Sequence, residues 1–189
     1  MLLGSITTGG KLGGYQLTNH SANQLPQSLA TAVNRLFDGE GKLLGAAYKA
    51  IWYLGSQQVN GKNHLLICEQ SNSSKNASKR IVGVVINIPA DDIDGSKASI
   101  VEIIDDAELI EGTDLDINLR EKFKNALGNL FGVQYTPVLF VGSQVVKGIN
   151  YYVAAEAKIV RPDADPYAVM ICFNVFNDSV VVTSIEHLA

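Results

Sequence analysis

Cysteine is nearly absent: Cys68 and Cys172 are the only two in 189 residues. Two thiols cannot form the multi-bridge framework that staples small secreted domains. Both sit in apolar, strand-like runs, where a thiol behaves as a small hydrophobe. Histidine is also scarce, and His20, His64 and His187 are far apart. No metal-ligand set and no nucleophile–base pair emerges, so neither a cofactor nor enzyme chemistry is expected. Basic runs are missing as well. The closest is Lys79-Arg80, and the net charge is −4 with a pI of about 5.3. Phosphate binding needs clustered Lys and Arg, so nucleic acid is not an expected partner. No apolar stretch reaches the roughly 20 residues that cross a bilayer, so no membrane partner is expected either. The opening MLLGSITTGG lacks the basic and apolar regions of a secretory signal. A cytoplasmic chain is the expectation, or a secreted one already trimmed.

Apolar residues make up 47% and charged residues 18%, an ordinary globular composition. The length suits one medium domain or two small ones. A repeat decides between them. GSQQVNGKNHLLI (Gly55–Ile67) and GSQVVKGINYYV (Gly142–Val153) share Gly-Ser-Gln-x-Val-x-Gly-x-Asn at an offset of 87 residues. Sliding the whole chain by 87 lays Gly45–Asp91 on Gly132–Asp178 without a gap, and 13 of 47 positions are identical. The chain therefore reads as two copies of one module, residues 1–106 and 107–189.

Each copy has the same predicted order. A helix is expected at Pro26–Asp38, with Pro26 in its first turn and Leu29, Val33, Leu36 and Phe37 as its apolar stripe. Its counterpart is Leu115–Leu127, capped by Thr113 or Asp114, with the stripe Leu119, Phe123, Ala126 and Leu127. β-type runs follow. In copy one they are Leu44–Val59, Lys62–Gln70, Lys79–Pro89 and Ala98–Asp105. In copy two they are Val133–Val146, Ile149–Val160, Tyr167–Asn177 and Ser179–His187. Ala107–Ile110 is expected as a short first strand of copy two. A helix with one apolar stripe needs a sheet to cover, so the fold class is α+β, one helix on an antiparallel sheet in each module. The doublet Tyr151-Tyr152 is expected to be half core and half surface, since adjacent strand residues face opposite ways.

Helix, long strand, Gln-x-Val-x-Gly, long strand: this order resembles the cystatin family, in its disulfide-free, stefin-like form. VQYTPVLFVGSQVVKGINYYV (Val133–Val153) resembles the family's apolar strand leading into Gln-Val-Val-x-Gly-x-Asn-Tyr-Tyr. KLGGY (Lys11–Tyr15) resembles its N-terminal glycine segment, 43 residues before Gln57. The resemblance implies a reversible inhibitor of papain-like cysteine proteases, whose wedge of N-terminal segment and two hairpin loops blocks the cleft. It also implies which residues bind. Leu12 would fill an apolar subsite and Gly13 or Gly14 would be the flexible glycine. The first hairpins would be Gln57, Gln58, Val59, Asn60 and Gly61 in one copy and Gln144, Val145, Val146, Lys147 and Gly148 in the other. Gly61 and Gly148 are expected to let the tip approach the cleft wall.

Two features depart from that pattern. The family's second hairpin carries Pro-Trp, but PADDIDGSK (Pro89–Lys97) and FNDS (Phe176–Ser179) contain no Trp, and Trp52 lies within a strand. Copy two has no glycine pair before its helix. The departures motivate a second function class, a non-inhibitory tandem scaffold that binds a partner or assembles through its sheet edges. A Val-x-Gly in a hairpin also has a purely structural explanation, because Gly is the usual residue of a tight turn. The sequence leaves the oligomeric state open.

Overall fold

The computed structural model describes residues 14–39, 45–72, 78–105 and 117–189. The chain divides into two compact units, one holding Tyr15–Asp105 and the other running to Leu188. Both are α+β. In the first, β1 (Gln16–Ser21) leads through a short 3-10 turn (Ala22–Gln24) to α1 (Gln27–Phe37). Four strands follow: β2 (Ala46–Val59), β3 (Gly61–Asn72), β4 (Lys79–Ile88) and β5 (Ser99–Ile104). They form an antiparallel sheet in sequence order, β1-β2-β3-β4-β5. In the second, α2 (Ile117–Gly128) precedes β6 (Val133–Val146), β7 (Gly148–Ile159), β8 (Tyr167–Phe176) and β9 (Ser179–His187), a four-stranded antiparallel meander. Among the described residues no helix is long and apolar enough to cross a membrane.

The helical stripe does what its spacing predicts. Leu29, Ala32, Val33, Leu36 and Phe37 are buried and meet Tyr48, Leu66, Cys68, Val82, Val84 and Ile86 of the sheet. Pro26 differs from expectation. It stands just outside the helix with extended backbone, and its carbonyl accepts the first helical bond, from the Ala30 N–H at 2.8 Å. A residue that lacks an N–H costs nothing there, because that donor would be unpaired anyway. The capping residues expected for α2, Thr113 and Asp114, lie outside the described residues, as do the Leu119 side chain and the strand expected at Ala107–Ile110.

The two sheets repeat in detail. β2 and β3 pair with breaks in register at Ala50/Trp52 and Tyr53/Gly55. β6 and β7 pair with breaks at Pro137/Leu139 and Phe140/Gly142, each 87 residues on. Both long strands therefore bend at matching points. An amide ladder repeats too: the Asn87 side-chain N–H₂ donates to the Asn63 amide oxygen at 2.8 Å, and Asn174 does the same to Asn150 at 2.8 Å. These four asparagines are among the 13 identities, so part of the sequence repeat is a repeated cross-strand bond.

The cores diverge where the helix ends. Phe37 is buried with its ring centroid 5.6 Å from that of Tyr48. The helical stripes match at an offset of 90, which sets Leu127 in the place of Phe37; Leu127 is half-buried, as is Tyr135, the counterpart of Tyr48. Unit two packs instead through Phe123, stacked on Phe173 at 4.3 Å and edge-on to Tyr151 at 5.7 Å. Tyr152 faces the other way and is buried while Tyr151 is half-buried, so neither member of the doublet is the surface residue that alternation predicts. Both cysteines are buried free thiols, and burial pushes the Cys68 thiol far above its ordinary range.

Truncating one buried and one exposed helix position tests this packing. Phe37→Ala should destabilise unit one by about 3–5 kcal/mol. Lys124→Ala should change stability by no more than about 0.5 kcal/mol. Urea unfolding followed by circular dichroism reads both.

Candidate functional site

The antiparallel order brings three chain segments to one edge of unit one. β2 and β3 turn at Asn60, with Val59 opposite Gly61. β4 ends beside that turn, with Ile88 opposite Lys62. β1 runs antiparallel to β2 with Gln16 opposite Ser56, so the chain enters the sheet from the same end. Gly14, exposed, immediately precedes it. Leu12 and Gly13 lie outside the described residues.

Gln58, Val59 and Asn60 are exposed at the turn, Gln57 is half-buried, and Gly61 is buried. The Gln58 side-chain N–H₂ donates to the Gly61 carbonyl at 2.6 Å, bracing the turn from within. Gly61 has φ of 100°, and a Cβ there would overlap the Ile88 carbonyl oxygen and stand 2.9 Å from the Pro89 Cα. Gly148 repeats this with φ of 88° against the Val175 carbonyl. Both glycines have the positive φ expected of a hairpin tip, and each also has a packing role within its own sheet. They face their own sheet, where the third strand leaves no room for a side chain, and the outward surface belongs to the residues before them.

The loop after β4 supplies a feature that the sequence motif did not reveal. Asp92 is buried, and its carboxylate accepts from the backbone N–H groups of Gly95, Ser96 and Lys97 at 3.0, 3.1 and 2.9 Å. Gly95 abuts the Ser28 carbonyl of α1, and the Arg35 guanidinium donates to the Ala98 carbonyl. A loop with its amides satisfied by one carboxylate and docked on a helix loses little entropy when a partner binds. It holds Ile93 out at 93% exposure. The signal for this lies in Asp-Asp-Ile-Asp-Gly-Ser: an Asp whose side chain can bond the backbone following it, and a Gly. A search for Trp passes over it.

Unit two builds the same edge with fewer parts. Val145 is 85% exposed, and Val146 and Lys147 are exposed beside it. Gln144 is half-buried and accepts from the Tyr152 hydroxyl at 3.1 Å. The loop after β8 is only Asn177-Asp178, with φ of 48° and 61°, the signature of a tight type I′ hairpin. It leaves Phe176 partly exposed, with the Lys147 ammonium 5.5 Å from its ring centre. Among the described residues no three of His, Cys, Asp and Glu converge on a metal-sized site.

Behind the unit-one turn lies a shallow cleft lined by Gln58, Gly61, Lys62, His64, Pro89 and Asp92. His64 is buried there, its Nδ1 hydrogen-bonded to the Tyr53 hydroxyl at 2.9 Å. Burial first, and then the nearby Lys62 charge, lower its pKa from 6.5 to about 4. At the matching positions unit two carries Phe140 and Tyr151, with ring centroids 6.3 Å apart.

No family model matches the chain, and no curated protein matches it. Among solved structures the chain is similar to the crystal structure of mouse fetuin-B, at 13% identity and a TM-score of 0.28, over 92% of this chain and 71% of that one. A likeness at that level carries no argument about fold or function.

Two predictions follow from this edge. Gly61→Ala and Gly148→Ala should each cost about 2–4 kcal/mol, combining backbone strain with overlap on a carbonyl. Gly132→Ala, where φ is 85° but no atom stands within 4 Å, should cost only about 1–2 kcal/mol. For His64, the unfolded chain takes up a proton below pH 6.5 while the folded one stays neutral down to about pH 4. Stability is therefore complete above pH 6.5, falls as pH drops through that window, and levels off below it, a loss of about 2–3 kcal/mol. Exchanging the pair for that of unit two, Tyr53→Phe with His64→Tyr, should remove this component from urea midpoints measured across pH 4–7.5.

Proposed function

We propose that the chain is a reversible inhibitor of papain-like cysteine proteases, built as two tandem cystatin-like modules that present the hairpin edge to the active-site cleft. The carrying observation is that Val59 and Asn60 are exposed at the β2–β3 turn and Ile93 is exposed in the loop after β4, whose start at Ile88 and Pro89 abuts Gly61 of that turn. In this proposal Ile93 takes the place of the absent Trp as the second apolar element of the wedge. Leu12, Gly13 and Gly14 complete it. Val145, Val146 and Lys147 with Phe176 form a second, smaller edge. An exposed valine gives apolar area with little rotamer freedom to lose, which suits a binding surface of small extent.

A specific observation favours the scaffold class as the second reading. Gly61, Asn63 and Asn87, with their counterparts in unit two, are all accounted for by packing and hydrogen bonds within the sheet. A scaffold would keep those identities without any protease.

Titrating papain with the chain separates the two. Glycine substitutions would confound loss of binding with loss of fold, so the exposed residues are the ones to change. Wild type should inhibit at micromolar concentration or below. Val59→Asp with Ile93→Asp should weaken inhibition at least tenfold while leaving the circular dichroism spectrum unchanged. Val145→Asp with Val146→Asp should have a smaller effect. Absence of inhibition by the wild type sinks the inhibitor reading, and equal inhibition by all variants sinks the assignment of the edge.

A further inference from the structure

Between α2 and the start of β6 lies a cavity of about 460 Å³, within the size range of small-molecule sites. Phe123, Leu127, Tyr135, Pro137, Val153 and Phe173 form its apolar wall. At its margin Phe131 is 96% exposed and Val160 is 73% exposed, large apolar groups held in water without a covering partner among the described residues. Isolated exposed hydrophobics are common, but two at the mouth of one apolar cavity mark a binding surface.

The charge beside the cavity is of one sign. Lys124 lines the cavity itself. A second depression of about 370 Å³ shares Gln134 and Val160 with it and is lined by Lys158 and Arg161. Both basic side chains are exposed, and among the described residues no carboxylate lines either space. An apolar cavity that continues into a basic rim complements a molecule with an alkyl tail and an anionic head.

We propose that unit two binds a medium-chain fatty acid, its alkyl chain under α2 among Phe123, Leu127, Tyr135 and Phe173 and its carboxylate at Lys158 and Arg161. No edge residue of the protease proposal takes part, so either proposal can fail without the other.

Isothermal titration of the full chain with decanoate, below the concentration at which it forms micelles, tests this. One saturable site is expected. Affinity should fall about fourfold for each methylene removed from the ligand, as chain burial requires. Decanol should bind at least tenfold more weakly than decanoate, and Lys158→Glu with Arg161→Glu should weaken decanoate by at least the same factor. Lys124→Phe adds a ring to the cavity lining and should abolish binding while raising the urea midpoint of unit two. Absence of saturable binding overturns the proposal. So does equal affinity for decanol, or unchanged decanoate binding in either the Lys158/Arg161 or the Lys124 variant.

Discussion

The approach of Gly61 to the Ile88 carbonyl, repeated by Gly148 and that of Val175, is the constraint on which each hairpin edge depends. Three strands meet there, and the third passes so close to the turn of the first two that no side chain fits. Glycine at that place fixes the register, because a slip of one residue would put a Cβ into the carbonyl. It also fixes where the next loop begins. In unit one that loop is long enough to fold back on α1, and Asp92 ties three of its amides. In unit two it is a two-residue turn with no room for such a device. The same close contact thus carries two different edges.

The duplicated positions and the diverged ones divide along physical lines. Bends, turn glycines and the asparagine ladder recur at an offset of 87, since each satisfies backbone or amide groups that any copy of the sheet must satisfy. The contents between helix and sheet do not recur. Tyr53 and His64 become Phe140 and Tyr151, and the Phe37–Tyr48 contact of unit one gives way to the Phe123–Phe173 stack of unit two. The first change replaces a hydrogen-bonded tyrosine–histidine pair by two aromatic rings in contact.

Much of this fold is legible in the sequence because it follows periodicity. The strands of unit two fall where the alternation and the repeat put them, to within a residue or so at each end. The helical stripe of α1 lies on the sheet as 3.6-residue spacing requires. What escapes is set by neighbours distant in the chain. Tyr152 is adjacent to Tyr151 and faces the other way, as a strand demands, yet nothing local says that both faces are covered. The role of Gly61 depends on Ile88, 27 residues on. Ile93 looks like one residue of a polar loop, and only the bond set of Asp92 makes it a presented side chain. The cavity is the extreme case, since its walls come from α2 and three strands that no local pattern brings together. Its meaning appears only once Tyr135, Val153 and Phe173 are seen to leave the space open.

The two candidate surfaces of unit two stand at opposite ends of the same pair of strands. Val146 opposite Gly148 marks one end, and Val133 opposite Ile159 marks the other. β6 has 14 residues, which at about 3.3 Å per residue spans about 45 Å. A ligand under α2 therefore touches the protease-facing edge only through the sheet or the helix. The helix does reach that end: the Lys122 ammonium donates to the Asp178 carbonyl at 2.6 Å, in the turn beside Phe176. Filling the cavity braces the C-terminal half of α2, while Lys122 anchors its middle to the turn. Coupling between the sites, if the two proposals hold together, must run through that helix, because the hydrogen-bonded strands cannot shift register by less than a residue. Removing the Lys122 side chain would cut this link between helix and turn without entering either surface.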